Sequence, residues 1–261
     1  MQNSECNILG VRVIDVTATQ ARDIIIQAAR THQGLKLAFC NAHFANVART
    51  DAVFREALDD FLILPDGIGV DLASRLLRGT PFRANLNGTD FTPSLFEHAE
   101  GTFRVGLLGG RPGVAEKAAH IFAERFPAHN FSVLGHGYLS EDDKGRVLNA
   151  LLDDPVDILL VAMGNPLQEK WIANNITSDH AGVAMGIGAL LDFTAGEVKR
   201  APEWVRRTRT EWLYRLKQEP GRLWRRYVIG NASFLAFVLY QRLFGPSGLQ
   251  TQNRSNLSPA E

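Results

Sequence analysis

DILLVAMGNPLQEKW, residues 157–171, reads as a strand, a tight turn and the start of a helix. From Ile158 to Met163 no polar residue interrupts the run, as in a parallel strand covered on both faces. Gly164-Asn165-Pro166 ends it, and Pro166 fits the first turn of the following helix, Leu167 to Asn175, where a missing N–H costs nothing. The same unit recurs on either side. Upstream are a strand at Leu35 to Cys40 with a helix at Ala42 to Ala48, and a second helix opening at Asp51 with Phe54, Leu58 and Phe61 at core spacing. A strand at Phe61 to Leu64 is then cut by the turn Pro65-Asp66-Gly67. Arg104 to Leu108 and Asn130 to Leu134 are strands, followed by helices at Gly113 to Phe126 and Ser140 to Leu152, and Ala181 to Met185 is the last strand. This alternation from about residue 8 to 190 predicts an α/β fold, a mostly parallel sheet with helices on both faces.

After Gly196 the pattern changes. Residues 199–226 hold ten Lys and Arg against three Glu, a net +7 that leaves −7 on the remainder of a formally neutral chain. Trp204, Trp212 and Trp224 lie in the same segment. An apolar run from Tyr227 to Tyr240 follows, shorter than the roughly 20 residues a spanning helix needs. It suits a helix lying on a membrane or packed on a partner. Three regions are therefore expected: an α/β catalytic domain at 1–196, a basic and aromatic helical appendage at 197–245, and a disordered tail at 246–261. Arg and Trp ahead of a short apolar helix fit an anionic membrane surface, and would also fit a homo-oligomer interface. Nucleic acid is not expected, because no recognition module accompanies the basic segment. Met1 to Asn7 carries no leader signature, and the two cysteines, Cys6 and Cys40, have no metal or disulfide spacing, so a cytoplasmic protein with reduced thiols is expected.

Three glycine turns stand at predicted strand ends, where open α/β sheets bind ligands: Gly109-Gly110, Gly164-Asn165-Pro166 and Gly186-Ile187-Gly188. They point to a phosphate-bearing ligand, with the alternative that they merely make tight turns. Gly109-Gly110-Arg111-Pro112-Gly113 is not a dinucleotide fingerprint, and the next strand ends in Gly135-His136 rather than in an acid, which disfavours a nucleotide-dependent oxidoreductase. Asp66 sits just past a strand end, where a carboxylate can take a proton from an attacking hydroxyl; alone, an Asp before Gly67 could equally be a turn residue. Asp71 could be a surface acid on the following helix. Gln168 and Glu169 fall near a helix N-terminus and could bind polar groups of a ligand or only cap the helix. No DxD stands at a strand end, so no metal is expected.

The runs LPDGIGVD (64–71), NGTDF (87–91), VGLLGGRPGVAEKAA (105–119), GNPLQEKW (164–171), GIGALLDFTAGEVKRAPEW (186–204) and EWLYRLKQEPGRLWRRY (211–227) resemble, in order and spacing, the WecG/TagA/CpsF glycosyltransferase family. The resemblance implies a Rossmann-like core with a C-terminal membrane-binding appendage. It further implies an inverting transfer of a hexose (glucose, N-acetylmannosamine or its uronic acid) from a UDP-sugar to a polyprenyl-diphosphate-linked saccharide. The enzyme would sit peripherally on the cytoplasmic face of the inner membrane, without a cofactor. By the same resemblance Asp66 is the base, Asn41, Gln168 and Asp192 lie in the pocket, and the appendage arginines Arg215, Arg222 and Arg225 complete it. Gly67, Gly109, Gly110, Gly164, Glu169 and Gly188 join them as expected substrate contacts at the strand ends. Phe39 and Asn85 stand where family members often carry Thr and Arg. Leaving-group charge would fall to glycine-loop amides, helix N-termini and appendage arginines. A non-catalytic membrane-bound scaffold is the remaining alternative.

Overall fold

The computed structural model describes residues 4–203, 205 and 210–245. Trp204, Arg206, Arg207, Arg209, the side chain of Arg222 and the 246–261 tail lie outside the described residues.

An antiparallel hairpin, β1 (Ser4–Ile8) and β2 (Val11–Asp15), comes first. Six further strands form one parallel sheet: β3 (Leu35–Cys40), β4 (Phe61–Pro65), β5 (Arg104–Gly109), β6 (Asn130–Gly135), β7 (Val156–Ala162) and β8 (Ala181–Gly186). Their order is β4-β3-β8-β7-β5-β6. Side chains alternate across it: Leu37 and Phe39 pack on one face, Ala38 and Cys40 on the other. The first face is covered by α1 (Ala18–Arg30), α5 (Gly88–His98), α6 (Val114–Arg125) and α9 (Leu190–Thr194), with Ile25, Leu95 and Phe122 in its core. The second is covered by α2 (Ala42–Thr50), α3 (Ala52–Ala57), α4 (Ile68–Arg78), α7 (Glu141–Asp153) and α8 (Leu167–Asn175), around Phe44, Phe54 and Trp171. The predicted strands match within a residue or two. The hairpin is additional to them.

β3 leads into α2 on one face and its neighbour β8 into α9 on the other, and β7 and β5 diverge in the same way. Where adjacent strands send their chains to opposite faces, a crevice opens at their carboxyl ends.

The appendage continues with α10 (Glu211–Gln218), α11 (Pro220–Trp224), a π-helical turn at Arg225–Ile229 and α12 (Gly230–Phe244). The apolar run expected to lie on a membrane or a partner buries one face on its own chain. Phe234 and Val238, one turn apart, are wholly buried in the second core. Asn46 Nδ2 donates to Gly230 O at 2.8 Å, and the Arg49 guanidinium lies 3.6 Å from the Phe237 ring centroid. Gln241 ties the far end to the hairpin turn, accepting from Leu9 N and donating to Asn7 O, both at 2.9 Å. The remaining surface of the helix stays exposed, with Tyr240, Leu243 and Phe244 prominent. Among the described residues no helix is long and apolar enough to cross a membrane.

Candidate active site

The crevice is a cleft of about 1180 Å³ between the strand ends and the appendage. Asp66 lies at the head of the turn after β4. Its amide donates to Cys40 O at 2.8 Å, and Leu86 N donates to Pro65 O at 2.7 Å, so the turn is held between β3 and the loop before α5. Gly67 has φ +90, which only glycine adopts without strain, and its amide donates to Asn85 Oδ1 at 3.1 Å. Asp15 anchors that same loop by accepting from Arg83 N at 2.8 Å and pairing with Arg78 at 2.9 Å.

Asn41, at the end of β3, has both ends of its amide assigned. Its Oδ1 caps α2 by accepting from Phe44 N at 3.1 Å, which turns Nδ2 to donate to Asp66 Oδ2 at 3.2 Å. Burial pushes the Asp66 carboxyl up from 3.8 to about 6. The Asn41 hydrogen bond and the Arg226 cation pull it down, while the Glu211 and Asp90 charges add to the rise. A carboxylate that titrates near 6 is ionised at neutral pH and basic enough to take a proton from a hydroxyl in a transition state.

Gln168 and Glu169 are buried at the opening of α8 and line the cleft floor. Gln168 Oε1 accepts from Gly164 N and Gly188 N, each at 3.2 Å, clamping the turns after β7 and β8 together. Its Nε2 donates to Glu169 Oε1 at 2.7 Å, and Asn165 Nδ2 donates to Glu169 Oε2 at 3.1 Å. Burial raises Glu169 to about 7 against these hydrogen bonds.

This clamp alters the expected phosphate cradle. The amides of Gly67, Gly164 and Gly188 donate to side chains, that of Gly110 to Ala162 O at 2.9 Å, and that of Gly137 to Gly110 O at 2.8 Å. Glycine amides that already donate within the protein leave negative charge to the cationic side chains. Gly109 does not line the cleft: a Cβ there would stand 2.3 Å from Ala162 O, so this glycine serves the close approach of β5 and β7.

Asn41, Asp66, Gly67, Gly110, Gly164, Gln168, Glu169, Gly188, Asp192 and Arg215 converge on the cleft. The Arg215 guanidinium lies 5.4 Å from the Phe193 ring centroid. Arg225 does not converge: it is exposed on the π-helical turn, and the adjacent Arg226 lines the cleft in its place. Asp71, left open as a surface acid, is buried within α4. Sequence reasoning missed His43, Arg226 and Glu211, all at the cleft. Burial and the Arg226 charge push His43 down to about 4, so its imidazole is neutral. Phe39 and Asn85, the two departures from the family pattern, both line the cleft. Burial raises both thiols, Cys6 to about 11, which makes them inert.

A cleft of this kind on a doubly covered parallel sheet accepts many chemistries. The sequence profile of the glycosyl transferase WecG/TagA/CpsF family matches residues 6–248, spanning every element that builds it. The chain belongs to this family. Similar WecG/TagA/CpsF members include the N-acetylglucosaminyldiphosphoundecaprenol N-acetyl-beta-D-mannosaminyltransferases of Staphylococcus aureus strains MW2 and NCTC 8325 / PS 47. Each is 30% identical over 242 residues, covering 91% of this chain and 92% of the relative. This WecG/TagA/CpsF protein is accordingly a glycosyltransferase, and the cleft is its candidate active site.

Proposed function

We propose that the enzyme transfers a hexose, with inversion, from a UDP-sugar to a polyprenyl-diphosphate-linked saccharide in bacterial surface polysaccharide synthesis. The observation that carries this is Asp66, an Asn41-bound carboxylate raised to about 6 on the wall of a cleft large enough for two substrates. The acceptor hydroxyl attacks the anomeric carbon as the bond to UDP breaks, and its proton passes to Asp66. Of the three hexoses the family allows, N-acetylmannosamine has support from the activity of the relatives, as does an N-acetylglucosamine-diphosphopolyprenol acceptor. Arg215, 5.4 Å from the Phe193 ring centroid, and Arg111, which also lines the cleft, meet the charge that develops on the leaving UDP. Arg226, whose charge reaches both Asp66 and His43, faces the acceptor diphosphate. No resident metal enters this scheme.

Peripheral attachment to the cytoplasmic face of the membrane is supported by the exposed apolar face of α12 beside the basic segment, together with a lipid-linked acceptor. Purified enzyme offered a panel of UDP-hexoses and a short-chain polyprenyl-diphosphate N-acetylglucosamine should release UDP and form a disaccharide, best with UDP-N-acetylmannosamine. Absence of product with every donor would overturn the proposal. Thermal stabilisation by UDP and not by NAD separates it from an oxidoreductase.

A further inference from the structure

The Asp66 end of the cleft opens onto an apolar seam. On α4, Ile68, Leu72 and Leu76 stand four residues apart and are 40%, 42% and 40% exposed. The helix buries Val70, Asp71, Ala73 and Ser74 instead, leaving this hydrocarbon stripe outward. Beside it, Leu235 and Leu239 of α12 are 37% and 47% exposed. They share a helix face with Arg242, which donates to Leu77 O on α4 at 3.3 Å, so this is the side of α12 that adjoins α4. Phe234, one residue before Leu235, lies over α4: a Cβ built on Gly69 would stand 3.7 Å from its ring. The two leucine stripes therefore flank a single seam.

The seam is continuous with the active site. Ile68, Leu72 and Leu235 line the cleft, and Ile68 follows Asp66 by two residues. Both helices begin at the cleft and run outward, so Leu76 and Leu239 lie farther along. From Ile68 to Leu76 the stripe spans about 12 Å at the rise of an α-helix.

We propose that this seam is the track of the acceptor's polyprenyl chain, with the reacting sugar at Asp66, the diphosphate beside Arg226 and the hydrocarbon leaving between α4 and α12. The proposal rests on the glycosyl-transfer reading above and names where its lipid runs. A substrate whose hydroxyl meets the base at one end and whose other end is hydrocarbon needs an apolar path starting next to that base. The seam supplies one, and Arg226 supplies a cation at the junction.

The test compares two acceptors with the same diphosphate-linked saccharide, one on a polyprenyl chain of several units and one on a short alkyl chain, both in detergent. The wild type should favour the long chain in kcat/KM by about tenfold, equivalent to about 1.4 kcal/mol. The Leu76→Gln/Leu239→Gln double variant, altered outside the cleft, should lose most of that preference while keeping its melting temperature. Equal use of both chains by the wild type, or an undiminished preference in the double variant, overturns the track. Loss of binding to acceptor-free anionic vesicles with the preference intact overturns it too, and marks the seam as general bilayer contact. If the wild type transfers to neither acceptor, the glycosyl-transfer reading fails instead. Thermal stabilisation by a polyprenyl diphosphate alone, compared between wild type and double variant, then still decides on the seam: a smaller shift in the variant supports it and an equal shift removes it.

Discussion

Replacing Asn41 with alanine separates two tasks carried by one amide. Its Oδ1 caps α2 and its Nδ2 donates to Asp66 Oδ2 at 3.2 Å. Loss of the cap costs about 1 kcal/mol of stability, a fall of a few degrees in Tm for a chain of this size. Loss of the second bond removes a donor that favours the ionised carboxylate, so the Asp66 pKa rises from about 6. A hydrogen bond to a charged group is worth about 1.5–3 kcal/mol, which at 1.36 kcal/mol per pH unit moves the titration by one to two units. The base acts as the carboxylate, so activity is lost as pH falls through this value, and the acid limb of kcat/KM should move upward. With a midpoint near 7.5, the variant is roughly eightfold slower than wild type at pH 6.5 and nearly equal to it at pH 9. Asn41→Asp keeps the cap but sets a second carboxylate beside Asp66, which should raise the limb further. The assay is UDP release across pH 5.5–9.5 with a soluble acceptor, with Tm measured in parallel. An acid limb that stays put while Tm falls would refute the coupling and leave Asn41 as a helix cap alone.

Gly109→Ala places a Cβ 2.3 Å from Ala162 O and should cost about 3 kcal/mol in urea unfolding, although Gly109 does not touch the cleft. Arg215→Ala should lower kcat more than it weakens UDP binding, because the charge it meets develops as the donor bond breaks; equal losses in both would count against that role. Arg226→Ala should raise KM for the lipid-linked acceptor more than for the donor. Treatment with a chelator should leave the rate unchanged, and restoration of a lost rate by a divalent cation would show that a metal shares the leaving-group charge.

The parallel sheet was legible because its strands are mostly apolar runs, several of them closed by glycine at or just past the strand end, and Asp66 was legible because Pro65 and Gly67 mark the turn that carries it. The hairpin escaped because its turn uses Leu9 at φ +52 before Gly10, where a side-chain pattern would look for Asn or Asp. Arg226 escaped because the resemblance pointed to Arg225, which is exposed on the π-helical turn Arg225–Ile229 while its neighbour lines the cleft. Composition shows that the run from Tyr227 to Tyr240 is apolar but not which surface receives it, and Phe234 and Val238 turn out to be covered by the chain itself. The contact between Asn85 and Gly67 joins a loop to a turn eighteen residues away, which no local pattern encodes.

The central claim is that Asp66 accepts the acceptor's proton, and Asp66→Asn tests it most directly, since the amide keeps the shape and cannot take the proton. Burial of the charge disfavours the wild-type carboxylate above pH 6, by at most about 3 kcal/mol from the gap between 3.8 and about 6, so the variant should melt at or above the wild-type temperature. With UDP affinity preserved, kcat should drop by about 10²–10⁴ above pH 6, where the wild-type base is ionised. A folded, UDP-binding Asp66→Asn enzyme that retains kcat within about tenfold of wild type would contradict the assignment.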